Sequence, residues 1–155
     1  MRRWAGLVTR GPVLDVASGA GRHSVLFAER GLDVLAVDRD AQSIPGARVV
    51  QADLENAAWP FAGQRFACVV VTNYLHRPLF GALRDAVDEG GVLIYETFMA
   101  GNEKYGRPSS PAFLLRPGEL LQAFAGLPPL AFEQGYVARP KPAMVQRLCA
   151  VRRNI

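Results

Sequence analysis

The chain has 155 residues, of which half are hydrophobic, and this length and composition predict that residues 1–155 form one domain with a substantial core. No apolar run approaches the ~20 residues of a membrane-spanning helix, and no apolar stretch follows the basic N-terminus, so neither a membrane protein nor a signal peptide is expected. The formal net charge is +4, but the basic residues are not interleaved with aromatic ones, which favours a scattered arginine-rich surface over a nucleic-acid partner.

The two cysteines, Cys68 and Cys149, both lie in apolar runs. Such positions are typical of small buried residues in a reducing compartment rather than of a disulfide or a metal site. Zinc-binding, nucleophile-elbow and P-loop patterns are all missing from the sequence. We therefore expect a cytoplasmic protein without a metal centre.

Apolar runs alternate with amphipathic segments along the first part of the chain, a pattern that predicts parallel strands joined by helices. The elements predicted here are strands at about 12–18, 33–38 and 47–52, a helix at about 21–30, and a weak helical stretch at about 54–58. Only eight residues, Arg39 to Gly46, separate the second strand from the third. A parallel crossover normally needs ~10–12 residues including its helix, so we expect the second helix to be short or absent.

The second part of the chain continues this alternation of strands and helices, but its last two strands have no helix between them. Its predicted elements are strands at about 66–72, 91–97, 130–137 and 145–152, and helices at about 79–88 and 117–125. Segment 98–116 is rich in glycine and proline and is predicted to be a functional loop. The last two strands are joined by Arg139 to Pro142, too short for a parallel crossover. The expected fold class is α/β, with a mostly parallel seven-stranded sheet, an antiparallel final strand and helices on both faces.

A glycine turn follows the first predicted strand, in the run Val-Leu-Asp-Val-Ala-Ser-Gly-Ala-Gly at residues 13–21. Gly19 and Gly21 allow backbone angles that other residues avoid, and they let a ligand approach the main chain closely. Asp15, inside the strand, is a buried carboxylate that needs partners. Asp38 ends the next strand, where a nucleoside-binding site places a carboxylate. Together these residues predict a site for a nucleoside-bearing cofactor.

Segments that contain these residues resemble motifs of class I S-adenosylmethionine-dependent methyltransferases. Residues 14–23 resemble the first motif of that family, and Asp38 matches its ribose-binding acidic residue. Residues 51–55 resemble the third motif, which implies that Asp53 lies near the adenine amino group. The fourth strand with the loop at the active-site mouth, and the fifth strand, are matched by residues 69–76 and 90–97.

The short segments 22–24 and 101–107 further resemble bacterial tellurite-resistance-like methyltransferases, and the likeness as a whole covers roughly residues 12–153. The resemblance implies a Rossmann-like methyltransferase fold and S-adenosylmethionine as the cofactor. The cofactor-binding residues that it implies are Asp15, Ala17, Gly19, Gly21, Arg22, His23, Asp38, Arg39, Asp53, Leu54, Asn73 and Tyr74.

Candidate catalytic residues follow the fourth and fifth strands, at the sheet edge where α/β proteins bind their ligands. His76 is the best general-base candidate by position, and a histidine before Arg77 and a proline is equally able to cap a turn. Tyr74 lies where the transferred methyl group should point. Glu96, at the end of the fifth strand, suits a cationic substrate or a pairing with Arg107. Arg107 is the fourth catalytic candidate.

The expected function is methyl transfer from S-adenosylmethionine to an unidentified small-molecule acceptor, with the protein chiefly positioning and desolvating the reactants. One alternative is an NAD-type nucleotide-binding module, although Ser24 stands where the dinucleotide fingerprint has its third glycine. Another is a non-catalytic fold that binds a partner. Arg22, Arg77 and Arg107 near the predicted mouth are compatible with an anionic acceptor. The lid is expected from segment 98–116 or from a second subunit of a homodimer.

Overall fold

The computed structural model describes residues 2–40 and 42–153. The strands of its seven-stranded sheet are β1 Val13–Val16, β2 Val34–Asp38, β3 Ala47–Gln51, β4 Phe66–Thr72, β5 Val87–Phe98, β6 Pro129–Val137 and β7 Ala143–Val151. The α-helices are α1 Arg2–Ala5, α2 Arg22–Glu29, α3 Phe80–Asp85 and α4 Glu119–Ala123. Single 3₁₀ turns lie at Arg77–Leu79, Asn102–Lys104 and Pro111–Phe113. None of the described helices is long and apolar enough to cross a membrane.

The strands lie side by side in the order β3-β2-β1-β4-β5-β7-β6. Neighbouring strands from β3 to β5 are parallel, whereas β7 runs antiparallel to both β5 and β6. Val13 in the central strand is in register with Val34 of β2 and Cys68 of β4. This topology confirms the predicted fold class, a mostly parallel seven-stranded sheet with an antiparallel final strand.

Side chains of the central strands alternate between two apolar cores, because helices cover both faces of the sheet. On one face, Trp4 of α1 and Phe27 of α2 pack with the strands. On the other face, Leu83 of α3 and Leu120 of α4 do so. Phe27 is fully buried, which stabilises the fold by about 1.5–3 kcal/mol relative to an exposed side chain. The two cores hold the carboxyl ends of the parallel strands at one rigid edge.

The link between β2 and β3 contains no helix among its described residues, 39–40 and 42–46, in agreement with the predicted short or absent second helix. Ile44 takes over the packing role of that helix, because it is only 3% exposed and lies against the start of α2. A Cβ atom added to Gly21 would lie 2.6 Å from Ile44 Cδ1. One apolar side chain therefore joins the link to the glycine turn.

The weak helical stretch predicted at 54–58 is wrong, because these residues form a turn. The Asp53 carboxylate accepts hydrogen bonds from the Glu55 amide at 3.1 Å and from Asn56 Nδ2 at 2.9 Å. An aspartate that binds the next backbone amides in this way favours a turn over a helix.

The predicted helix at 79–88 is too long, and the predicted strand at 91–97 is too short. The helix ends at Asp85, and β5 already begins at Val87. Val87 is buried, β-branched and in register with Phe66 of β4. Pairing with a neighbouring strand therefore overrides the helical spacing of the apolar residues at this point.

Segment 98–116, predicted to be a loop, is tied to the rest of the fold rather than free. Asn102 is 2% exposed, and its Nδ2 donates to the carbonyl of Pro108 at 2.9 Å. Its Oδ1 accepts a hydrogen bond from the Met144 amide at 3.0 Å. One buried amide side chain thereby fastens the segment to the first residues of β7.

Candidate active site at the carboxyl edge of the sheet

The glycine turn after β1 has an unusual backbone. Ala17, Gly19 and Gly21 have φ angles of +55°, +56° and +88°, a region that favours glycine. Gly21 is buried under Ile44. A Cβ atom added to Gly19, in contrast, would meet nothing within 4 Å. The turn is thus packed on one side and open to a ligand on the other.

Asp38, at the end of β2, is bonded to this turn. Its Oδ2 accepts a hydrogen bond from the Gly19 amide at 2.9 Å, and its Oδ1 accepts one from the Asp40 amide at 2.9 Å. Each carboxylate oxygen has two lone pairs, so both oxygens keep the capacity to accept a further hydrogen bond from a ligand. The strand end and the turn therefore present one fixed carboxylate.

A cavity of about 190 Å³ opens beside Asp38, and we call it the β1–β3 cavity. Its lining residues are Ala17, Asp38, Arg39, Asp40, Ala52, Asp53, Leu54, Glu55 and Tyr74. Hydrogen bonds from the Asn56 side chain and the Glu55 amide hold the pKa of Asp53 below its usual value, so this residue is ionised at neutral pH. The cavity thus combines carboxylates with the apolar side chain of Leu54.

Tyr74 forms part of the wall of the β1–β3 cavity. Burial raises the pKa of its phenol to about 12, and the nearby carboxylates of Glu55, Asp53 and Asp38 act in the same direction. The phenol is therefore protonated at neutral pH. Tyr74 can donate a hydrogen bond here but cannot serve as an anionic base.

Beneath the turn, Asp15 is 1% exposed. Its Oδ2 accepts a hydrogen bond from Ser24 Oγ at 2.7 Å. Burial is the main reason that the pKa of Asp15 is raised to about 6, and the bond to Ser24 opposes it. Within the described chain, Asp15 Oδ1 and Ser18 Oγ are buried without a hydrogen-bond partner. The turn therefore has unused polar capacity, as a site for a polar ligand requires.

A second cavity, of about 530 Å³, lies further along the same edge, and we call it the β4–β7 cavity. Its lining residues are Arg22, His23, Thr72, Asn73, Glu96, Phe98, Val137, Arg139, Pro140, Lys141, Ala143, Val145 and Arg147. Glu96 Oε2 lies 3.2 Å from Arg147 Nε, its register partner on β7. Asn73, which has a φ of +54°, lines this cavity and directly precedes Tyr74 of the β1–β3 cavity.

The structure thus divides the predicted cofactor-binding residues between two adjoining cavities. Those that line the β1–β3 cavity are Ala17, Asp38, Arg39, Asp53, Leu54 and Tyr74. Those that line the β4–β7 cavity are Arg22, His23 and Asn73. Asp15 lies in β1 and Gly19 and Gly21 lie in the turn that follows it, and none of the three lines either cavity.

The predicted catalytic residues are not all brought together. Tyr74 and Glu96 line the β1–β3 and β4–β7 cavities, respectively. His76 lines neither of them, and its Nδ1 lies 3.6 Å from Glu55 Oε1. Arg107 is exposed on segment 98–116, also outside both linings. Of the four candidates, Tyr74 and Glu96 therefore line the two cavities, and His76 and Arg107 do not.

Arg77, one of the arginines placed near the mouth by sequence, has a structural partner. Its Nε donates to Glu119 Oε2 at 2.7 Å, and one terminal nitrogen donates to the Leu114 carbonyl at 2.8 Å. Burial would raise the pKa of Glu119, but hydrogen bonds from Arg77 and from the Arg116 amide outweigh it, and the pKa is lowered. Arg77 therefore fastens the end of segment 98–116 instead of facing the cavities.

Several lining residues were missed by the sequence analysis. Arg139, Lys141 and Arg147 were interpreted as part of the terminal hairpin and of a scattered basic surface, and Phe98 as the start of a loop. No local pattern identifies them, because their position follows from the strand order, in which β7 lies antiparallel between β5 and β6 and β6 is therefore parallel to β5. The β6–β7 loop must then lie at the carboxyl edge of β5.

Solved structures with this fold include three that cover nearly the whole chain. TehB from Haemophilus influenzae gives a TM-score of 0.78 at 17% identity, covering 99% of this chain and 61% of TehB. An S-adenosylmethionine-dependent methyltransferase from Mesorhizobium loti gives 0.70 at 18% identity, covering 97% of each chain. The glycopeptide N-methyltransferase MtfA, complexed with S-adenosyl-L-methionine, gives 0.64 at 20% identity, covering 97% of this chain and 91% of MtfA. At these identities the likeness shows the fold, and this chain spans less than two thirds of TehB.

No curated protein matches the sequence significantly. The model of the Methyltransferase domain family, however, matches residues 14–92, just over half of the 155 residues. The matched region contains the glycine turn, Asp38 and the strands that build the β1–β3 cavity. It confirms the predicted resemblance to class I S-adenosylmethionine-dependent methyltransferases. The chain belongs to the Methyltransferase domain family.

Proposed function

We propose that this chain binds S-adenosylmethionine at the β1–β3 cavity and transfers its methyl group to a small-molecule acceptor. The observation that carries the proposal is the bond between the Asp38 carboxylate and the Gly19 amide. A carboxylate at the end of β2, beside a glycine turn, is the arrangement that binds a ribose. Family membership favours S-adenosylmethionine over a dinucleotide, and MtfA has been crystallised with S-adenosylmethionine, S-adenosylhomocysteine and sinefungin.

The residues of the site fit this cofactor. Asp38 has lone pairs to spare for ribose hydroxyls, and Leu54 offers an apolar surface to a base. The buried Asp15 Oδ1, without a partner in the described chain, suits a cationic amino group. Arg22, at the start of α2, suits a carboxylate. These charges complement an amino acid joined to a nucleoside.

When bound, the cofactor supplies an electrophilic methyl group, and its transfer is an in-line displacement that depends mostly on positioning. The part of this chain is to orient the two reactants and to exclude water between the cavities. Asn73 and Tyr74 lie where the cavities meet, so they are proposed to position the reacting groups. Glu96, held by Arg147, is proposed to face the acceptor.

A small-molecule acceptor is supported by the size of the β4–β7 cavity. Its volume of about 530 Å³ lies within the range of about 300–1,000 Å³ typical of small-ligand sites. A cytoplasmic location is also proposed, because Cys68 and Cys149 are buried free thiols, as is usual in a reducing compartment. We also predict a homodimer, and a lid that covers the acceptor and is formed by segment 98–116 or by the second subunit.

The test is isothermal titration calorimetry with S-adenosylmethionine and S-adenosylhomocysteine. We expect both to bind, and Asp38→Ala to weaken both strongly. Asp33→Ala is the matched control, because Asp33 precedes the first residue of the same strand and its carboxylate pairs with Arg48 on the surface. Absence of cofactor binding to the folded wild-type protein would sink the proposal, as would an equal effect of the two substitutions.

Two other functions predict different outcomes of the same measurements. An NAD-type module would bind NAD and not S-adenosylhomocysteine. A non-catalytic fold would bind S-adenosylhomocysteine but give no methylated product with any member of a broad acceptor panel. Mass spectrometry of reactions with isotopically labelled S-adenosylmethionine separates the second case from an active enzyme.

A further inference from the structure

The charges that line the β4–β7 cavity are unbalanced. Glu96 is the one carboxylate among its lining residues, and it is paired with Arg147 at 3.2 Å. Arg147 is in turn 3.8 Å from Glu133 on β6. Arg22, Arg139 and Lys141 also line the cavity and form no ion pair with any residue that the structure describes. The cavity therefore carries an excess of positive charge.

Two of these cations come from the loop between β6 and β7. Arg139 and Lys141 are each followed by a proline, which fixes a backbone φ angle and limits the freedom of the loop. The backbone at Arg139 and Lys141 lies at the carboxyl edge of the sheet, on the side of the cavity away from the glycine turn. They thus belong to a loop whose nearer strand, β7, is three strands away from β1, whereas Arg22 is next to the glycine turn and suits the cofactor carboxylate.

The floor of the cavity is different in character from its rim. Phe98, Val137 and Val145 are lining residues without charge. Such a floor with cations at one end fits a ligand that has an apolar body and an anionic group. A cationic ligand would have to approach the arginines and lysine without a free carboxylate to balance it.

We infer that the β4–β7 cavity binds an organic anion as the methyl acceptor, with its apolar body on Phe98, Val137 and Val145 and its anionic group against Arg139 and Lys141. This inference rests on the proposed function, since it names the acceptor class of the same site. It differs from the cofactor's own carboxylate, which is assigned to Arg22.

Benzoate, benzamide and benzylamine are suitable probes, because they share one apolar ring and carry a negative, no or a positive charge. Each is titrated into protein saturated with S-adenosylhomocysteine, so that the cofactor site is filled, and binding is followed by NMR. We expect benzoate to bind about tenfold more tightly than benzamide, as one or two ion pairs at an exposed rim provide. Benzylamine should be the weakest of the three.

The double variant Arg139→Gln with Lys141→Gln should remove the preference for benzoate and leave the affinity for S-adenosylhomocysteine unchanged. Both side chains are exposed, so a circular dichroism melt should show an intact fold. Arg30→Gln with Arg65→Gln is the control, because these exposed arginines lie outside the cavity. It should leave all three probe affinities as they are.

Equal binding of benzoate and benzamide, no benzoate binding at millimolar concentration, or an unchanged preference in the double variant would overturn the inference. The same experiment keeps it separate from the proposed function. If S-adenosylhomocysteine binds and benzoate shows no preference, only the acceptor class is wrong. If S-adenosylhomocysteine does not bind, the proposed function fails, and the acceptor assignment fails with it.

Discussion

Asp38 Oδ2 accepts a hydrogen bond from the Gly19 amide at 2.9 Å, which joins the end of β2 to the turn after β1. The bond stabilises the turn before any ligand arrives, and it orients the carboxylate towards the β1–β3 cavity. A preformed site of this kind saves the cost of ordering the turn on binding. The same side chain is therefore a structural group and also the proposed ribose-binding group.

Asp38→Asn tests the structural role. The amide of asparagine keeps one oxygen acceptor but loses the charge and the second acceptor, so we expect a loss of about 1 kcal/mol in the free energy of unfolding. Urea denaturation measures this value. Asp38→Ala should lose about twice as much. Equal stability of wild type and both variants would show that the bond to Gly19 contributes nothing to the fold.

The two glycines of the turn should respond differently to alanine. Gly19→Ala should lower the free energy of unfolding by about 1 kcal/mol, which is the strain of a positive φ angle alone. The added Cβ has no neighbour within 4 Å, so no steric clash adds to this cost. Gly21→Ala should cost about 3 kcal/mol, since its Cβ also collides with Ile44.

Urea denaturation of the two variants gives the comparison. The double variant Ile44→Ala with Gly21→Ala should lose less stability than the two single variants lose in sum, because the smaller side chain at position 44 removes the collision. Simple additivity of the two changes would contradict the packing of Ile44 on Gly21. Gly19→Ala should in addition weaken S-adenosylhomocysteine binding, since its Cβ projects into the open side of the turn.

Asp15 should give the protein a measurable pH dependence. Burial raises its folded-state pKa to about 6 from the usual 3.8, so the folded protein binds more protons than the unfolded chain between these two values. The contribution of Asp15 to stability is therefore greatest below pH 3.8 and is lost as the pH rises through about 6.

Asp15→Asn removes this titration while keeping an oxygen that can accept from Ser24. The variant should gain stability relative to wild type as the pH rises from about 4 to 7, by about 2–3 kcal/mol in total. Urea denaturation at a series of pH values measures the difference, in which all other titrations cancel. Parallel stability curves for the two proteins would contradict the raised pKa.

The Arg77–Glu119 pair should act in the opposite pH direction. The lowered pKa of Glu119 means that its contribution to stability is present above its usual pKa of 4.5 and is lost as the pH falls through the folded value. Glu119→Gln should cost about 2 kcal/mol at neutral pH, because it leaves the partly buried Arg77 without its anion.

Limited trypsin digestion provides a second measurement of this pair. Cleavage within segment 98–116 should be faster in Glu119→Gln than in wild type, because the Arg77 contacts that hold the segment are weakened. Glu29→Gln is the control, since Glu29 is exposed at the end of α2 and lies outside the segment that is cut. If both variants are cut at the same rate, the pair does not fasten the segment.

The parts of this fold that were predictable from sequence are those with local signals. The glycine turn, the strand ending at Asp38 and the short link after it are each visible within a few residues, and the link's lack of a helix followed from its length. The early start of β5 could not be predicted from the local sequence. Val87 belongs to the sheet because it pairs with Phe66 of β4, which is more than twenty residues away in the chain.

The β4–β7 cavity was unpredictable from local patterns for a related reason. Glu96 and Arg147 face each other only because β7 is inserted between β5 and β6. The sequence indicates a hairpin at Arg139 to Pro142, but not where along the sheet that hairpin lies. Charge complementarity across strands is a property of the topology, and it appears only once the strand order is known.

The β2–β3 link also has a consequence for turnover. Its exposed residues Arg39 and Asp40 form one wall of the β1–β3 cavity, and Ile44 anchors the link on the side away from that cavity. A nucleoside product bound as proposed would leave past these two exposed side chains. We therefore expect S-adenosylhomocysteine to dissociate quickly and to inhibit weakly, so that product release does not limit the rate.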